Sequence, residues 1–74
     1  MYFYFNTPKG VVSIVQRTAR WHVMFQDQDL GSYMSAYQAA DDVGGGHTFT
    51  PSSGIDIGSL NIPRDLDQWS RSKS

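Results

Sequence analysis

The chain opens with four short runs in which apolar and polar residues alternate, separated by turn residues at hairpin spacing. Tyr2 to Asn6 predicts a first strand, Val11 to Arg17 a second, Arg20 to Gln26 a third and Leu30 to Tyr33 a short fourth. Thr7-Pro8-Lys9-Gly10 puts proline second and glycine fourth, the arrangement a type I turn prefers. Thr18-Ala19 is a tight connection with weak turn chemistry, and Asp27-Gln28-Asp29 predicts the third turn.

Directly opposed residues of an antiparallel pair share a face, so loop lengths convert this pattern into a register. Phe5 then opposes Val12 and Phe3 opposes Ile14; across the next hairpin Ile14 opposes Val23, Val12 opposes Phe25, and Leu30 falls opposite Phe25. One face gathers Phe3, Phe5, Val12, Ile14, Trp21, Val23, Phe25 and Leu30 from three independently placed loops. That agreement predicts an α+β domain, an antiparallel β-meander of three to four strands packed on one short α-helix.

The helix is expected over 36–43, with Ser35 as N-cap, Gln38 completing a capping box, and Met34 and Ala39 placed as a hydrophobic staple. Its stripe is Ala36, Ala39, Ala40 and Val43, small enough to lie close on an aromatic sheet, and Gly44-Gly45-Gly46 is the stop. From His47 onward Ser, Gly and Pro abound, yet Phe49, Ile55, Ile57, Leu60, Ile62, Leu66 and Trp69 recur at irregular spacing. This segment is too apolar for a linker. It is expected to be ordered and mostly irregular, with a turn or short helix at Pro63 to Trp69, giving one domain over 1–69 and a flexible tail over 70–74.

Composition narrows the function. A chain of 74 residues buries only about 60% of its unfolded surface, which leaves little room for a catalytic cleft, so no enzyme is expected. Without cysteine there is no disulfide framework and no thiolate metal site, which excludes a zinc finger and suits a reducing, cytoplasmic location. No apolar run has membrane-spanning length and no signal-peptide layout opens the chain. All seven acids are Asp, a residue of turns and caps, so helix should be the minority. Charge is segregated: 1–26 carries Lys9, Arg17 and Arg20 with no acid, 27–63 carries five Asp with no base, and the net is −1.

The outer face of the meander, in this register, carries Tyr2, Tyr4, Ser13, Val15, Arg17, Arg20, His22, Met24 and Tyr33. Aromatic rings that stack on bases beside guanidinium groups that pair with phosphates are what sheet-based single-strand binding uses. Tyr2, Tyr4, Arg17, Arg20, His22 and Tyr33 are therefore the candidate binding residues, for protein or nucleic acid. Against an open nucleic-acid face stand the net charge of −1 and the need of the C-terminal apolar residues for a surface. Cover from residues 47–69 or from a second protomer is the leading expectation, and the leading function is a non-catalytic binding or assembly module contacting a protein partner or itself.

Other constellations are weaker. Asp41, Asp42 and His47 could hold a cation, but adjacent helical residues point about 100° apart, so a solvated helix end is expected, its acids calling for a partner such as an Arg. The glycine run follows a helix instead of preceding one, which is not the layout of a phosphate cradle. Ser13 and His22 share a face without a nucleophile elbow. No metal, cofactor or catalytic residue is expected.

Trp21-His22-Val23-Met24-Phe25, Leu30-Gly31-Ser32-Tyr33 and Ser35-Ala36-Tyr37-Gln38-Ala39-Ala40 resemble the last strands and helix of the plant ethylene-response-factor DNA-binding domain, over about 11–43. That resemblance implies a three-stranded sheet on a small-residue helix and DNA contacts from sheet residues; Arg17 and Arg20 match its arginines, and Trp21 falls on the core face. Over 1–69 the chain also resembles a family of small bacterial proteins with no assigned activity, through Leu-Gly-Ser-Tyr, Ala-Ala-Asp-Asp-Val, His-Thr-Phe and the closing Pro63, Asp65, Leu66 and Trp69. This second resemblance implies a fold alone.

Overall fold

The computed structural model describes residues 2–48, 51 and 54–72. Four strands, β1 (Tyr2–Thr7), β2 (Gly10–Arg17), β3 (Arg20–Phe25) and β4 (Gln28–Tyr33), form the meander, followed by helix α1 (Ala36–Gly44) and two short 3-10 turns, Ile57–Leu60 and Leu66–Gln68. A fifth strand, β5 (Ser70–Ser72), returns to pair antiparallel with β1, so the sheet order is β4-β3-β2-β1-β5. Residues 70–72 are thus an edge strand and no loose tail, held in part by the Arg71 guanidinium 5.5 Å from the Phe3 ring centroid. Residues 73 and 74, and the Phe49 expected in the core, lie outside the described residues. No helix among the described residues is long and apolar enough to cross a membrane.

The first two hairpins have the expected register, with Phe5 opposite Val12, Phe3 opposite Ile14, Ile14 opposite Val23 and Val12 opposite Phe25. The third does not. The chain turns at Gln26-Asp27, so Phe25 opposes Gln28, and a bulge at Leu30 then shifts the pairing until Gly31 opposes Val23 and Tyr33 opposes Trp21. As the extra residue, Leu30 still reaches the core, where it is buried, whereas Tyr33 is turned from the outer face to the inner one.

The core is a single cluster on the inner face. Phe3, Val12, Ile14, Val23, Phe25 and Leu30 from the sheet meet Ala36, Ala39, Ala40 and Val43 from α1. Ile57, Ile62, Leu66 and Trp69 complete it beside the helix, the Trp69 ring 6.1 Å from Phe5 and its indole N–H donating to the Pro63 carbonyl at 3.0 Å. The expectation that this segment covers the outer face is therefore corrected. A nine-residue helix with an alanine stripe is too narrow to close the inner face, and burial of these residues there satisfies both needs at once.

Both ends of α1 are built as their residues dictate. The Ser35 hydroxyl accepts from the Gln38 N–H at 3.1 Å, while Gln38 reaches back to the Met34 N–H at 3.3 Å. Met34 makes no staple, for it is 74% exposed and its sulfur meets Arg20 Nη1 at 3.3 Å. At the other end Gly46, at φ +75°, closes a Schellman motif: its N–H donates to Val43 and the His47 N–H to Asp42.

Two expected outcomes follow from local geometry. A Cβ on Gly44 would lie 2.7 Å from Arg64 Cγ and 2.8 Å from its Cα and N. Alanine would gain up to about 1 kcal/mol of helix propensity, but Arg64 backbone cannot yield cheaply and overpacking costs about 1–3 kcal/mol, so Gly44→Ala should lower the urea midpoint at unchanged slope. Thr18 and Ala19, at φ 50° and 65°, both occupy the left-handed region that type I′ turns require and β-branched residues avoid. Thr18→Asn combined with Ala19→Gly should stabilise by about 1 kcal/mol, read as a rise in Tm of several degrees.

Candidate binding surface on the open face of the sheet

Strand alternation projects two full rows from the outer face. Tyr2, Val15, His22 and Ser32 lie side by side in one, Tyr4, Ser13, Met24 and Asp29 in the next. Val11 extends the apolar area at one end and is 48% exposed, and the opposed Arg17 and Arg20 close the other end. Ser13 is the small residue among larger neighbours. Around it opens a shallow depression of about 360 Å³ lined by Gly10, Val11, Ser13, Met24, Gln26 and Asp27.

The six expected binding residues do not all meet here. Tyr2 and Tyr4 do, their ring centroids 6.0 Å apart at 48°. His22 is on this face with Nδ1 2.7 Å from Asp29 Oδ2, an acidic neighbour that the expected register had placed elsewhere. Arg20 is anchored laterally, Nε donating to Ser32 Oγ at 3.0 Å and Nη2 to the Ser32 carbonyl at 3.1 Å, and Arg17 remains exposed. Tyr33 belongs to the opposite side. The aromatic and basic set thus loses a ring, and its imidazole faces a carboxylate. Val11 and Asp29 are the residues that sequence reasoning left out; the alternation that buries Val12 already assigns Val11 to this face, whereas Asp29 depended on the two-residue turn at Gln26-Asp27.

On the inner side, the Tyr33 hydroxyl hydrogen-bonds Asp42 and ties β4 to α1. Asp41 receives Arg64, both Nε and Nη2 at 3.0 Å, the basic partner expected for this helix end. With each acid engaged separately, Asp41, Asp42 and His47 form no cation site, and no cluster of metal-ligating side chains occurs among the described residues. Gly31, at φ +148°, lies under the Tyr33 ring, where an added Cβ would meet the hydroxyl at 3.2 Å.

No protein-family model, curated protein or solved structure matches this chain. Its surface chemistry is the remaining guide.

Burial, followed by the charge and hydrogen bond of Asp42, raises the Tyr33 hydroxyl above the ordinary 10.0 of a tyrosine. The unfolded phenol ionises first, so this contribution to stability is complete below about pH 10 and is lost as pH rises through the folded value. Urea midpoints measured across that range should fall with pH in the native protein, and Tyr33→Phe should flatten the decline.

Proposed function

We propose that this protein is a non-catalytic binding or assembly module that meets a protein partner through the open face of its sheet. The observation that carries the reading is the run of half-buried Tyr2, Tyr4, Val15 and Met24 and exposed Val11 beside the depression, on a chain whose described C-terminal apolar residues are committed to the other face. Antiparallel sheets commonly leave one face to water, but such a face is then polar, and this one sets Tyr2, Tyr4, Val15 and Met24 among Ser13 and His22.

The sheet edges offer less. β5 has three residues and β4 is interrupted by its bulge, features that blunt strand addition. Arg20 held by Ser32, and Asp29 beside His22, suit a mixed rim around an apolar centre, the anatomy of a protein interface, better than a phosphate track. Cytoplasmic residence accompanies this proposal, consistent with a chain free of cysteine.

A photocrosslinking residue at position 13 in the source cells should give a discrete protein adduct, and the same residue at position 38, on the exposed side of α1, should not. Absence of an adduct from position 13, or equal labelling from both, refutes the proposal. Oligonucleotide binding that strengthens as salt is diluted would transfer the face to nucleic acid.

A further inference from the structure

We infer that the occupant of the open face is a second copy of this chain, the two sheets meeting face to face about a two-fold axis that runs across the strands. This rests on the reading of the open face as an interface and names its partner. The axis follows the row in which Phe3, Ile14, Val23 and Gly31 oppose one another, all of them on or directed to the inner side or lacking a side chain. The two outer rows flank it. A two-fold along that line exchanges them, and each residue then meets one of complementary kind.

Val15 falls on Ser13 of the second copy, the larger side chain over the smaller, at the margin of the depression. Tyr2 falls on Tyr4, ring on ring, and His22 on Met24, imidazole on thioether. On the β4 side Ser32 comes over Asp29, a hydroxyl donor over a carboxylate. Along β3 the end that bears Arg20 lies over the Gln26-Asp27 turn, and along β2 Arg17 lies over Val11 with its aliphatic stem against the valine, so the basic residues do not face one another. Lys9 sits on the neighbouring turn, one step beyond the rows that overlap. A two-fold interface has to be self-complementary, and these rows are. The usual rotation of about 30° between packed sheets moves the outer strands most and keeps the β2 and β3 pairs near the centre of the sheet in contact.

The size of the face sets the strength. Overall extents of 28 × 22 × 20 Å limit a flat face to about 600 Å² per copy, below the ~800 Å² of a standard interface, so the dimer should be micromolar or weaker.

The decisive experiment exchanges the sizes of the two central residues. Sedimentation equilibrium of the full chain from about 10 µM to about 1 mM should give a reversible monomer and dimer. Ser13→Val alone sets two valines against each other and Val15→Ser alone sets two serines against each other; each should raise the dimer Kd about tenfold. The double variant recreates one valine against one serine and should restore the Kd to within about threefold of the parent value. Circular dichroism and Tm confirm that all three fold, and Val15→Asp supplies a second disruption.

Failure of the double variant to rescue overturns the two-fold register. A chain monomeric throughout overturns self-pairing, yet leaves the open face available to another protein as judged by the crosslink from position 13. A dimer indifferent to every one of these substitutions forms elsewhere and overturns self-pairing through the open face, and the crosslink from position 13 again decides whether another protein occupies that face.

Discussion

The architecture depends on one demand, the covering of a single apolar sheet face in a chain with little to cover it. Phe3, Val12, Ile14, Val23, Phe25 and Leu30 all point to one side, and full burial of such side chains is worth about 1.5–3 kcal/mol each. α1 contributes three alanines and a valine, which allow close approach but not breadth. Ile57, Ile62, Leu66 and Trp69 supply the breadth, entering the same cluster from an irregular segment. Gly44 lets that segment come in against the helix end, and the Asp41 to Arg64 ion pair marks the place of contact. An exposed pair of this kind adds at most about 1 kcal/mol, so the cover is held by burial and the charges orient it.

The same demand leaves the other face open. Once the C-terminal apolar residues are used on the inner side, nothing among the described residues is available to shield Tyr2, Tyr4, Val11, Val15 and Met24. The rim around them is mixed in charge, and its basic members are partly engaged, Arg20 by Ser32 and His22 by Asp29. Such a surface suits an apolar contact framed by polar groups.

A one-residue bulge has consequences out of proportion to its length. By making Leu30 the extra residue, it keeps that side chain in the core and moves Tyr33 across to Trp21. Tyr33 then reaches Asp42 and links the last meander strand to the helix. The bulge also brings Ser32 opposite His22 on the outer face, where it receives Arg20. One shift in register therefore changes the chemistry of both faces.

Alternation and turn spacing were enough to determine β1 to β3, their register, the caps of α1 and the eight-residue apolar face, because those features are set by neighbours close in sequence. Tyr2, Tyr4, Arg17, Arg20 and His22 were legible as outer-face residues for the same reason. Tyr33 and Asp29 were not. Gln26-Asp27 lacks the Asn-Gly signature of the turn it makes, and whether a bulge forms depends on how well Leu30 packs under the helix, a contact remote in sequence. β5 was likewise hidden, since three residues of Ser-Arg-Ser carry no strand pattern and pair only because Trp69, anchored in the core, delivers them to the edge of β1. Which face the C-terminal segment covers was decided in three dimensions, where the width of a helix is compared with the width of a sheet.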